Sequence, residues 1–282
     1  MGSGRKLFFG LFIFPLLIAV GMAVLLCSVV LLTNEAQTPE SLIGAVKSGS
    51  PGKRWQKAYE LSNELNRKGV HFQKERVLGE IIYILKDPVR YDEKTRGYMA
   101  VALAHFKDPE AVEALKISLK DPSDDLKLYA LWSLGMIQAK EALPDILPFL
   151  KAGREDLREM AVYVLGAIGD KSAAPEMRKL LNDPSVGVRW NAALALARLG
   201  DAGGLDILLK MLERGSLESD YRMPGEQIEK VMTNAIRGLA LIQRPESIKI
   251  LESVSRKDKS LKVRQAAFEA LEIVRKSDGI AR

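Results

Sequence analysis

The chain has 282 residues, 47% hydrophobic and 28% charged, which is the balance of a folded protein and not of a disordered one. Aromatic residues make up only 6% while Ala and Leu recur, a composition that favours packed helices over a β-sandwich. The formal net charge is +6; setting Arg5 and Lys6 aside leaves 40 Lys and Arg against 36 Asp and Glu, interspersed, which does not make the concentrated basic stripe expected of a nucleic-acid binder.

Residues 1–6 read as a short polar tail. From Leu7 to Leu32 no charge occurs, and at about 1.5 Å per residue this run exceeds a hydrocarbon core of roughly 30 Å. The run predicts a transmembrane helix over 7–32; it is too long for the apolar region of a cleaved signal peptide, about 7–15 residues. Arg5 and Lys6 on one side, with Glu35 and Glu40 on the other, predict a single-pass membrane protein. Its N-terminus would be cytoplasmic and the bulk of the chain extracytoplasmic, periplasmic if the organism is a bacterium. The one cysteine, Cys27, lies in this run, so no intrachain disulfide or thiolate metal cluster can form.

Residues 33–52, rich in Ser, Thr, Pro and Gly, read as a linker, with room for a short helix around Leu42 and Ile43. Residues 53–282 carry a period of 31. Steps of 31 give Leu103, Leu134, Leu165 and Leu196; Leu119, Leu150, Leu181 and Leu212; and Arg96, Lys127, Arg158 and Arg189. Each unit shows apolar positions three and four apart on either side of a turn such as Gly169-Asp170 or Gly200-Asp201, which predicts two short amphipathic helices. Pro122 and Pro184 fall where units join. A unit this small cannot bury its apolar faces alone, so the units must stack, about seven of them with the last as a cap.

The regularity breaks once. Ala192 and Ala235 stand 43 residues apart, and residues 213–230 form an inserted loop. Insertions of this kind gather on one face of a solenoid, often the binding face, which makes Asp220, Tyr221, Arg222 and Met223 candidate protein-binding residues; the alternative is a tolerated surface loop.

Segments such as DPSVGVRWNAALALARLGD (183–201) and LREMAVYVLGAIGD (157–170) resemble the HEAT-repeat superfamily, in particular its short bilin-lyase-like class. The resemblance covers roughly residues 50–282. It implies an all-α, right-handed α-solenoid of about seven HEAT-type helical hairpins, with an acidic-to-basic ladder at the junctions; Asp183 with Arg189, and Asp121 with Lys127, match those positions. Members include scaffolds, chromophore lyases, an iron-dependent hydroxylase and DNA-alkylation glycosylases. The hydroxylase relies on repeated His-Glu pairs, whereas His71 and His105 here are each followed by Phe.

In HEAT units the helix that opens with the ladder residue lines the concave surface. Trp55 and Trp190, with Asn191 beside the latter, are therefore candidate protein-binding anchors, against the alternative that each indole packs on its neighbouring unit. Trp132 and Tyr163 share a column with Val101 and Leu194, which predicts core packing. Arg96, Arg158 and Arg189 follow the period of the fold and are read as ladder residues. No catalytic set, P-loop, metal site or cofactor site is discernible. The sequence thus predicts a membrane-anchored scaffold or adaptor for protein partners, with no nucleic acid expected. The alternatives are a chromophore-lyase-like enzyme, or a nucleic-acid-binding repeat domain were it cytoplasmic.

Overall fold

The computed structural model describes residues 14–33, 38–67 and 69–280, and within them the chain is helical throughout, with no strand. Helices α1 (Phe14–Thr33) and α2 (Pro39–Ser48) come first. Five hairpins follow: α3 (Arg54–Leu65) with α4 (Lys74–Lys86), α5 (Glu93–Leu103) with α6 (Pro109–Ser118), α7 (Asp124–Ile137) with α8 (Leu143–Ile146), α9 (Glu155–Ile168) with α10 (Ala174–Lys179), and α11 (Val186–Arg198) with α12 (Leu205–Lys210). The short α13 (Arg214–Ser219) precedes a sixth hairpin, α14 (Gly225–Ile242) with α15 (Pro245–Lys257), and α16 (Leu261–Ile280) closes the array. Helices α3, α5, α7, α9, α11, α14 and α16 pack each upon the next to form one layer, and their hairpin partners form the other. This is an α-solenoid.

The layers meet along the leucine columns. Leu103, Leu134, Leu165 and Leu196 are almost fully buried, and Ala100, Leu131, Val162 and Ala193 pack beside them. Burial of a Leu side chain stabilises by about 1.5–3 kcal/mol, which makes this repeated contact the main force joining units that are individually too small to fold. Small residues set the spacing: a Cβ on Gly166 would lie 2.7 Å from the Cβ of Ala195, so glycine there lets α9 approach α11 closely.

The junctions repeat one device. Asp121, Asp183 and Asp258 each accept from the backbone N–H of a serine two residues on, at 2.9, 2.9 and 2.8 Å. Those serines, Ser123, Ser185 and Ser260, then cap the next helix by accepting from Leu126, Val188 and Val263. The ladder pairing implied by the family resemblance is corrected here. Asp121 pairs with Arg96 at 2.6 Å and Asp183 with Arg158 at 2.9 Å, each arginine belonging to the preceding unit. Arg189 instead donates to the carbonyls of Asp183 and Pro184, and Lys127 pairs with Asp124. The reason is directional: the side chain opening a helix folds back along its own junction towards carbonyl oxygens, while the junction carboxylate faces the unit behind it.

At the N-terminus the sequence reading requires correction. The described part of helix α1 runs from Phe14 to Thr33, and its side chains from Leu16 to Leu26 are exposed. Among the described residues no helix is long and apolar enough to cross a membrane. The single-pass assignment over 7–32 and the orientation built on it, N-terminus cytoplasmic and repeat domain extracytoplasmic, are therefore set aside; residues 1–13 lie outside the described residues. The stretch 33–52, read as a linker, contains α2, whose Leu42, Ile43 and Val46 are buried in the same core as the first hairpin. Lys47 and Glu80 pair at 2.6 Å, and Glu40 accepts from the backbone of Gln73, so α2 caps the N-terminal end of the second layer.

Candidate functional site

One face of the long-helix layer is lined by large side chains that pack partly on the core and stay partly open to solvent. Two columns with the 31-residue step reach it: Tyr98, Tyr129, Met160 and Asn191, and Val101, Trp132, Tyr163 and Leu194. All are half-buried except Tyr163, which is 41% exposed. The prediction that the second column packs in the core holds for Leu194, which packs against the buried cluster, and not for Tyr163, which is exposed, while Val101 and Trp132 are half-buried at an open cavity.

At the N-terminal end of the face the rings touch in sequence. Trp55 stacks on Tyr98 with centroids 6.3 Å apart, Tyr59 meets Tyr98 edge-on at 5.3 Å, and Tyr98 leans on Tyr129 at 5.8 Å. The Nζ of Lys94 sits 3.3 Å above the Trp55 ring, a cation–π contact. Gly97 makes the row continuous, since a Cβ there would come within 2.4 Å of Tyr129. Burial, with help from Tyr98, Asp125 and Glu93, pushes the Tyr129 hydroxyl above its usual range and keeps the ring neutral. Beyond it Val101, Leu128, Tyr129, Trp132 and Met160 line an open cavity of about 460 Å³, with Asp125 at its edge.

The character then changes. Tyr163, Asn191, Arg198, Asn234 and Arg237 surround a smaller cavity of about 200 Å³ between α9, α11 and α14. The Arg198 guanidinium lies 5.4 Å from the Tyr163 ring centre. The aromatic end thus offers apolar area, and the far end offers cations and amides.

Of the residues singled out in the sequence, the structure places Trp190, Asn191 and Tyr221 close together. Trp190 meets Tyr221 edge-on at 5.4 Å, which half-buries the indole, and Met223 packs against the same core. Trp55 stands apart, with α5, α7 and α9 between its helix and that of Trp190. Asp220 and Arg222 are exposed at the turn after α13, where Arg222 has φ of 50°, in the left-handed region. The insertion 213–230 is not a loose loop: Leu217 is buried, and Arg214 of α13 forms a two-point ion pair with Asp258. Sequence reasoning missed Tyr98, Tyr129, Met160, Arg198 and Arg237. The signal for the first three was the 31-residue column; for the two arginines no periodic signal exists.

Comparison with known proteins defines the class. The HEAT-repeat family matches residues 80–156 and 143–222, together just over half of the chain. The protein therefore belongs to the HEAT-repeat family. Among solved structures it is similar to the complex of CpcE and CpcF of phycocyanin lyase from Nostoc sp. PCC7120, at 22% identity, covering 85% of this chain and 88% of that one with a TM-score of 0.59. It is also similar to the Escherichia coli protein YibA, at 14% identity over 84% of this chain and 93% of that one, with a TM-score of 0.53. Likeness at these identities establishes the fold. No curated protein sequence matches the chain.

Proposed function

We propose that this protein is a scaffold or adaptor whose long-helix face binds a partner polypeptide. The observation that carries this reading is the run of large side chains from Trp55 through Tyr98, Tyr129, Trp132 and Met160 to Tyr163, which crosses four successive helices and leaves part of each side chain open to solvent. Aromatic side chains contribute large contact area at low entropic cost, and they dominate the energetics of protein interfaces. Stacked units make an extended surface suited to an elongated ligand. Trp190 and Tyr221 continue this surface towards the insertion. A chromophore-lyase-like activity has only the fold of the CpcE–CpcF complex in its favour.

The test is site-specific photocrosslinking in cells. A crosslinker at Trp132 or Tyr163 is expected to capture the same discrete polypeptide, while one at Lys179, on the other layer, captures none. Equal capture from both positions, or capture that persists when Trp55, Tyr98 and Trp132 are all replaced by Ala, would refute the assigned face.

A further inference from the structure

We infer that the cavity between α9, α11 and α14 receives a single side-chain carboxylate from the bound polypeptide, held by Arg198 and Arg237; this rests on the scaffold reading and specifies its ligand.

The arginines elsewhere in the long-helix layer have acidic or carbonyl partners. Arg96 and Arg158 pair with Asp121 and Asp183, and Arg189 and Arg264 donate to junction carbonyls. Arg198 and Arg237 differ. Among the described residues neither has a carboxylate within the 4.0 Å of an ion pair, and the one contact of Arg198 is with the Tyr163 ring. Arg198 and Arg237 are solvent-exposed guanidiniums lining one cavity, and each presents paired N–H donors matched to a carboxylate. Asn191 and Asn234, at the same cavity, carry amide donors for its second oxygen.

Size and walls select the kind of anion. A volume of about 200 Å³ falls below the 300–1,000 Å³ typical of small-molecule sites and suits one side chain. Leu194, Gly238 and Leu241 supply apolar wall, which accommodates the methylenes of a Glu better than a hydrated phosphate. The next recess along the face, around Trp132, is apolar with a single acid, Asp125, at its edge, so a polyanion would find no second cationic site there. The two recesses centre on α7 and α11, two helix spacings or about 20 Å apart. An extended strand covers that in about six residues. The ligand is therefore a segment carrying an apolar side chain and, about six residues away, a glutamate.

The test uses the full-length chain and fluorescein-labelled twelve-residue peptides with Leu and Glu six positions apart, together with their Glu→Gln and Glu→Lys counterparts, read by fluorescence polarisation. The Glu peptide is expected to bind at least tenfold more tightly than the Gln peptide. The double variant Arg198→Ala, Arg237→Ala should abolish that difference, and Arg237→Glu should transfer preference to the Lys peptide. Trp132→Ala should weaken the Glu and Gln peptides alike and leave their ratio unchanged. Equal binding of Glu and Gln peptides by the wild type, still sensitive to Trp132→Ala, overturns the carboxylate inference and leaves the scaffold reading standing. Binding insensitive to Trp132→Ala, or no binding of any peptide, overturns both. Displacement of the Glu peptide by a short single-stranded DNA at lower concentration than by free glutamate-rich peptide would assign the cavity to a polyanion and likewise overturn the inference. All variants lie at exposed or half-buried positions and are compared by thermal unfolding to establish that they fold.

Discussion

Arg214 and Asp258, 44 residues apart, form a two-point ion pair at 2.9 and 2.7 Å that ties the insertion to the following junction. At the position 43 residues after Arg189, where α14 has a ladder site, stands the buried Met232. The guanidinium that would serve Asp258 therefore comes from α13. Both side chains are largely removed from solvent, at 14% and 6% exposure. Removing one partner of such a pair strands the other charge, so Arg214→Ala is expected to destabilise the protein by about 3 kcal/mol. The urea midpoint of the purified variant measures this; a shift of less than a quarter of that size would mean the insertion is only loosely attached.

Acid sensitivity should concentrate at the junctions. The Arg158 guanidinium holds the Asp183 carboxyl below the usual carboxylate range, against a burial penalty and with help from the Ser185 amide. Because the folded pKa lies below the unfolded one, the stabilisation is fully present above about pH 4 and disappears as pH falls through the folded value. The wild type should lose urea resistance progressively below pH 4, and Asp183→Asn, less stable at pH 7, should show a flatter profile there.

Glu159 behaves in the opposite sense. Burial, followed by the charges of Glu155 and Asp156, raises its pKa, with Arg158 opposing. A carboxyl whose folded pKa exceeds its unfolded one destabilises the native state as pH rises through that interval. Glu159→Gln should thus unfold at a higher temperature than the wild type at pH 7, with the difference vanishing below pH 4.

The turn positions predict a further gain. Gly169 and Gly200 take φ of 77° and 75°, and the equivalent positions hold Gln138 and Gln243 at 60° and 52°. The left-handed conformation disfavours a residue with a Cβ, so Gln243→Gly should stabilise by about 0.5–1 kcal/mol in thermal unfolding. Gln138→Gly should gain less, because the Gln138 side chain donates to the Ala167 carbonyl at 3.0 Å.

The repeat was legible because stacking imposes one environment on every equivalent position, and Leu103, Leu134, Leu165 and Leu196 are buried as their column requires. The same regularity misled at Trp132 and Tyr163. A shared period fixes that residues lie in equivalent places, not whether that place faces the other layer or the outer groove. Junction pairing eluded the sequence for a related reason: Asp183 has Arg158 and Arg189 one period apart, and only the direction of the junction decides between them. The Arg214–Asp258 pair, bridging an irregular insertion, has no periodic signature at all. The apolar run at 7–32 was visible as composition, but among the described residues no helix is long and apolar enough to cross a membrane.

Two clusters of buried apolar residues make up the hydrophobic core. One cluster runs from Leu42 to Leu199 and a second from Ala193 to Val274, and they meet at α11. Leu181 packs against both clusters, and Ala193 and Ala197 of α11 belong to the second. Arg198 lies on α11, whose residues serve both clusters, and Arg237 lies on α14, which belongs to the second. On the proposed reading, a carboxylate held by both arginines would cross-link α11 to α14 and so couple ligand binding to the spacing of these two helices.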